Sequence, residues 1–308
     1  MESQFIDWLR KRLPPHPLLR LGIGDDAAIL STAGAEQCVL TVDLLSDHVD
    51  FELAEVDPRR VGRKALAANL SDLAAMASRP WAGVIALCLP RVGGLNLAVQ
   101  LYEGLLPLAE KYQVAIAGGD TNSWDGPLVI SITLLGHVTP RGPLRRDGAR
   151  PGDRILVTGT LGGSILGRQF DFEPRVHEAL LLNDRYMLHA GIDISDGLAV
   201  DLAHVAEASG CGAVLRTDAV PVSDAACQLA QKLGDGSTPL DHALSDGEDF
   251  ELLLAVPPED ARRMLAEQPL PVPLSCIGEF VSEPGLWQRQ GQGPASRLVP
   301  HGWEHEMR

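Results

Sequence analysis

The stretch PRRVGRKALAANLSDLAAM (58–76), followed almost at once by WAGVIALCL (81–89), decides how this chain is built. In the first segment Val61, Ala65, Leu66, Leu70 and Leu73 recur at threes and fours, the period of a helix with a buried face. The second is an apolar run that reads as a buried strand. Working outward, residues 38–42 read as a strand running into Asp43, 97–111 as a helix, 114–117 as a buried strand and 128–138 as another strand. Phe5, Ile6, Leu9 and Leu13 place an amphipathic helix over residues 1–13, ended by Pro14, Pro15 and Pro17. Strands alternating with long helices predict an α/β chain of the layered α+β kind and exclude a β-sandwich.

The composition then changes. TPRGPLRRDGARPGD (139–153) has no apolar period and is rich in Pro, Gly and Arg, which places a domain boundary there and predicts domains over 1–140 and 141–308. The second half repeats the mixed pattern, with strands at 154–157, 213–215 and 251–256, a Gly-rich turn at 158–163 and a helix over 198–209. Residues 282–296 read as loop.

A chain of 308 residues accommodates two such domains. Asp and Glu total 41 against 26 Lys and Arg, a net charge of −15, which disfavours a nucleic-acid-binding surface. The run 81–89 is far short of the roughly 20 residues a membrane span needs. The opening MESQF lacks the basic-then-apolar order of a signal peptide. Five cysteines without a C-x-x-C pair make neither a disulfide framework nor a zinc site. The expectation is a soluble, cytoplasmic protein.

The chemistry is carried by aspartates in unusual company. Asp25-Asp26, Asp43, Asp72, Asp120, Asp193 and Asp196 each stand among small and apolar residues, where an ionised carboxylate is costly unless paired or bound to metal. Each alone reads more readily as a turn former, an N-cap or a strand-end loop residue. Together they suit a hard cation, since Mg²⁺ takes oxygen ligands and bridges carboxylates to phosphates. No HExxH, Cys/His or EF-hand spacing competes. No Gly-Lys pair forms a Walker A loop, and neither HRD nor DFG occurs, so a nucleotide enzyme here uses another scaffold.

Taken in order, GIGDDAA (22–28), TVDLL (41–45), GRKALAANLSDLAAM (62–76), GGDT (118–121), GARPGDRILVTGTLGG (148–163), GIDISDGLAVDLAHVAEASG (191–210), GEDFELL (247–253) and GWEH (302–305) resemble the thiamine-monophosphate kinases, within the superfamily of aminoimidazole ribonucleotide synthetase. The resemblance spans nearly the whole chain. It implies a two-domain fold, a homodimer whose N-terminal sheets meet, and transfer of the terminal phosphate of ATP to thiamine monophosphate. It further implies several Mg²⁺ ions held by Asp26, Thr41, Val42 (through its carbonyl), Asp43, Asp72, Asp120, Asp193 and Asp196. Tyr102, Gly119, Arg146 and Ser195 match ATP-contacting positions, and Glu248 and Trp303 substrate-contacting ones. Asp43, Asp72, Asp120 and Arg146 would carry the catalytic charge compensation.

The chain departs from the pattern twice. Asp50 replaces the usual substrate-contacting histidine, and Asp246 stands where a glycine usually precedes GED. Both add negative charge, which motivates an alternative: another ATP-dependent enzyme of the superfamily with a different acceptor. A non-catalytic binder of thiamine phosphate or Mg-nucleotide and a two-metal phosphohydrolase are further alternatives. A phosphate acceptor needs no general base, so positioning and charge compensation suffice. Asp25 reads as a turn residue, Asp201 as a solvated helix residue, Asp47 as an exposed loop charge and Ser195 as a helix cap. Trp81 and Trp287 read as packing residues.

Overall fold

A computed structural model describes residues 2–31 and 37–303. The first half runs α1 (Glu2–Arg12), β1 (Leu19–Leu21), β2 (Ala28–Ser31), β3 (Gln37–Ser46), α2 (Pro58–Ala75), β4 (Arg79–Pro90), α3 (Gly94–Lys111), β5 (Ala115–Trp124) and β6 (Val129–His137). The second runs β7 (Arg154–Thr158), α4 (Arg168–Asp171), α5 (Val176–Arg185), β8 (Ala190–Asp193), α6 (Leu198–Ala208), β9 (Gly212–Arg216), α7 (Asp224–Leu233), α8 (Pro239–Ser245), β10 (Leu252–Val256), α9 (Pro258–Glu267), β11 (Leu274–Val281), β12 (Gly285–Arg289) and β13 (Ser296–Arg297). Among the described residues the strands form two sheets, ordered β1-β2-β3-β6-β4-β5 and β13-β12-β9-β11-β7-β10-β8.

Helix α2 is the centre of the molecule. Asp57 caps its first turn by accepting from the Arg59 N–H, and Pro58 occupies the first helical position, where its missing N–H costs nothing. Leu66, Leu70 and Leu73 are fully buried, each removal from water contributing about 1.5–3 kcal/mol. The helix packs against α3, β3 and β6 of its own half and against α4, α5 and β8 of the other. Gly62 and Gly104 permit the close crossing with α3, since a Cβ on either would fall within 2.0 Å of a facing carbonyl oxygen. Coverage from both halves also buries the polar Lys64, Asn69 and Ser71. A polar face that is buried instead of solvated belongs to a site.

Several expectations need correction. β4 is not buried on both faces: its residues alternate, with Ile85, Leu87 and Leu89 inside and Trp81 and Val84 exposed. β5 pairs in parallel with β4 and, among the described residues, with no other strand, so the expected buried strand is an exposed edge. Nor is 282–296 all loop, because β12 lies parallel to β9 with Leu286 buried; a strand with so short an apolar run leaves no periodic trace. α1 forms, but Phe5 and Trp8 of that helix are half-exposed and stack on each other at 6.1 Å. Of the GWEH motif, Glu304 and His305 lie outside the described residues. No helix among the described residues is long and apolar enough to cross a membrane.

Candidate active site

Asp26, Asp72 and Asp193 come from three distant segments, and carboxylate oxygens of all three lie within 4.8 Å of one another. Asp26 follows a turn in which Asp25 accepts from the Asp26 and Arg146 backbone N–H groups, so Asp25 shapes the loop as expected. Asp72 sits on the last turns of α2, and Thr41 of β3 donates its hydroxyl to it. Asp193 ends β8 and accepts from the Ser71 hydroxyl at 2.6 Å. Arg146 closes the group by gripping both Asp26 oxygens, at 2.6 and 3.2 Å, a fork that makes it more than a linker charge.

One cation against this many carboxylates leaves the cluster under-compensated. Burial first, then the neighbouring Asp43, Asp193 and Asp26, pushes Asp72 well above the usual carboxylate range. Asp193 is raised in the same way by burial and Asp26, with Ser71 and Arg146 opposing. Burial and Asp26 push Asp25 up to about 6. For Arg146, burial opposes the charge, but Asp26 and Asp25 outweigh it and hold the guanidinium protonated. Asp43 stands beside the group on β3, pushed up to about 6 by burial and by Asp50. Its buried Oδ2 has no hydrogen-bond partner among the described residues. An orphaned carboxylate oxygen beside an all-oxygen donor set fits a hard divalent cation.

Asp43, Asp72 and Asp193 open into one cavity of about 560 Å³, the size of a small-ligand site, whereas Asp26 and Arg146 are not part of its lining. Asp43, Asp72 and Asp193 line one part of it, Ser195 and Asp196 follow, and Asp50, Glu248, Phe170, Phe250 and Trp303 line the rest. The loop after β8 is held from below: Asp201, on α6, accepts from the Asp196 and Gly197 N–H groups, both at 3.1 Å. Asp201 is therefore not a solvated helix residue. Ser195 does not cap α6, whose N-cap is Gly197 with no side-chain cap bond, and its own side chain stays half-buried in the cavity wall. Above the loop, the Trp303 N–H bonds the Asp196 carbonyl, laying the C-terminal tail across it. Glu248 and Phe250 both have positive φ, +52° and +50°, a backbone that non-glycine residues adopt at a cost near functional sites. Their N–H groups bond the Ser195 and Ile194 carbonyls, which compensates for that cost.

Both departures from the family pattern are committed internally. The Asp50 carboxylate accepts from the Ser46 N–H at 2.7 Å and closes the turn after β3. Asp246 accepts from the Gly163 N–H and pairs with His242, each at 2.8 Å. Asp47 is not an exposed charge either, being buried and accepting from the Leu53 N–H.

Other expected residues stand apart. Asp120 lies on β5, in register with Ala86, Ser131 and Leu44 on the face of the sheet turned away from α2. Asp43 sits in the adjacent row on the α2 face, three strand spacings or about 14 Å away in the sheet. Gly119 shares that edge strand, Tyr102 is half-buried on α3, and none of the three lines the cavity. Val42 contributes side chain only to the exposed face. Sequence reasoning overlooked Lys64 and Ser71 and misread Asp201 as solvated. Lys64 and Asp201 carried the signal used for the other sites, a charge inside an apolar helical run, while Ser71 carried none.

The family models for the AIR synthase related protein match here in both parts, the N-terminal domain over residues 24–138 and the C-terminal domain over 150–286. The chain is 44% identical to the thiamine-monophosphate kinase of Rhodopirellula baltica, over 99% of this chain and 97% of that protein. Among solved structures it resembles AaThiL complexed with AMPPCP and TMP, with a TM-score of 0.85 and 28% identity over 99% of this chain and 97% of that one. It also resembles the thiamine-monophosphate kinase of Stenotrophomonas maltophilia, with a TM-score of 0.72 and 36% identity over 92% and 95%.

Proposed function

The chain belongs to the thiamine-monophosphate kinase family, and we propose that it transfers the terminal phosphoryl group of ATP to the phosphate of thiamine monophosphate, giving thiamine diphosphate as the last step of that cofactor's synthesis. The observation that carries this reading is the cavity itself, with under-compensated aspartates in one part and aromatic walls beside Glu248 in the other. Asp26, Asp43, Asp72 and Asp193 would hold Mg²⁺, with the Thr41 hydroxyl, the Val42 carbonyl and Asp196 close enough in sequence to complete the donor set. Bound there, Mg²⁺ supplies charge compensation on the phosphate oxygens. Arg146, whose Nε and Nη2 hold Asp26 in place, would offer ATP phosphate its charge and its remaining Nη1 edge. Ser195 faces the donor, and Glu248 and the Trp303 ring receive the cationic thiamine moiety. No residue has to remove a proton, because the acceptor oxygen is already anionic near neutral pH. The chain's own task is alignment of two polyanions on rigid elements.

The face of the first sheet away from α2 exposes Val42, Leu44, Trp81 and Val84 together. A contiguous apolar patch of this kind supports a homodimer formed by apposed N-terminal sheets. Asp120 and Gly119 would then act from the seam between copies, toward the partner's nucleotide. The five unbonded cysteines suit the reducing cytoplasm.

Phosphorus NMR of the protein with MgATP, with and without thiamine monophosphate, tests the proposal. Diphosphate signals that appear only with the acceptor, together with ADP, are expected. ATP cleaved equally without acceptor would refute it and favour the alternative of a different acceptor. The internal pairing of Asp50 and Asp246 weakens the motive for that alternative.

A further inference from the structure

Lys64 is the residue whose burial the reaction so far leaves unexplained. Its ammonium lies on α2 in the cavity wall, is 1% exposed, and spends its three protons on three oxygens from different parts of the chain. These are the Asp50 carbonyl at 2.8 Å, Gln169 Oε1 of α4 at 2.7 Å and Glu248 Oε1 at 2.6 Å. The Phe170 ring lies 5.1 Å from it. A buried ammonium is expensive to desolvate, and a Met or Leu would fill the same volume more cheaply. What the charge does that an apolar side chain cannot is fix two acceptors. It holds the Glu248 carboxylate, on a backbone already forced to positive φ, and it holds the turn whose far side is closed by the Asp50 carboxylate. Lys64, Ala68 and Asp72 follow one another at four-residue steps and all line the cavity, so one rigid helix carries Lys64 and the metal-side carboxylate about 12 Å apart.

We propose that Lys64 is a positioning residue for the phosphate acceptor: it sets the Glu248 carboxylate and the 46–51 turn as the wall that receives a cationic ring, in register with Asp72. The role rests on the kinase reading above. It distinguishes the acceptor from the nucleotide, because Lys64 touches none of the residues assigned to ATP.

The test is steady-state kinetics and thermal unfolding of the full-length wild type, Lys64→Met, Glu248→Gln and the double variant, varying thiamine monophosphate and MgATP separately. Lys64→Met is expected to raise KM for thiamine monophosphate about tenfold or more while KM for ATP stays within about twofold. Because Lys64 acts largely through Glu248, the two penalties should combine to much less than their product in the double variant, a strong non-additivity. Equal rises in both KM values would mean a purely structural role and overturn the proposal, as would penalties that multiply in the double variant. If Lys64→Met does not fold, the double variant carries the comparison with Glu248→Gln, since it strands no buried charge. A wild type that makes no thiamine diphosphate would refute the kinase reading itself, and this role with it, without reference to any variant.

Discussion

Replacing Asp43 by Asn should make the metal-free protein more stable and the magnesium-loaded protein less active. An ordinary aspartate titrates near 3.8, whereas burial and Asp50 push Asp43 up to about 6. At about 1.4 kcal/mol per pH unit, the ionised Asp43 carboxylate costs the folded, metal-free protein on the order of 3 kcal/mol near neutral pH. The sign follows from proton binding. Below about pH 4 the group is protonated folded and unfolded, and the penalty is absent. Between about pH 4 and 6 the folded state binds the proton more tightly, so stability falls as pH rises, and above about 6 the full penalty applies. Asn has nearly the same shape and cannot ionise. In a chelator near neutral pH the variant should therefore melt roughly 5 °C above the wild type, with the gap closing toward acid. Added magnesium should stabilise the wild type by mass action and the variant much less. The assay is differential scanning calorimetry across pH with chelator or MgCl₂. A variant that melts at or below the wild type without metal, or that gains as much from magnesium, would refute both the penalty and the assignment of Asp43 to the cation.

Asp120→Asn should lower turnover by orders of magnitude with the fold intact, and mixing it with Asp72→Asn should restore part of the activity if Asp120 serves the partner copy; no recovery would place it with its own chain. If the apposed-sheet homodimer proposed above forms, Leu44→Glu, on the exposed face of β3, should give a monomer in sedimentation where the wild type gives a dimer, and equal masses would refute that interface. Trp303→Ala should chiefly raise KM for thiamine monophosphate, and an unchanged KM would leave Trp303 as a tail anchor only.

Much of the fold was legible because the relevant signals are local. α2 announced itself by spacing and by the strand that follows. The layered α/β class followed from that alternation. Strand environment was not legible, since an apolar run is compatible with one covered face or two. Only the neighbours decide, and β5 has one neighbour while β4 has two and an uncovered face. Likewise the half-polar β12 forms because β9 offers it an edge, which no window of its own sequence records.

The sequence alone determined that carboxylates sit where solvation cannot explain them, and its ordered motifs pointed to the family. Tertiary structure alone decided which of them meet. Asp26, Asp72 and Asp193 converge because α2 is wedged between the two halves, so that a loop, a helix and a strand end share one point. Asp120, equally conspicuous in sequence, lands on the opposite face because side chains alternate along a strand and its row is the outer one. Lys64 and Asp201 acquired their roles the same way, from partners roughly 100 residues away or from a neighbouring loop that needed its N–H groups capped. Motif and period are properties of a segment; the meeting of charges in three dimensions is a property of how segments pack, and a single sequence holds the first without displaying the second.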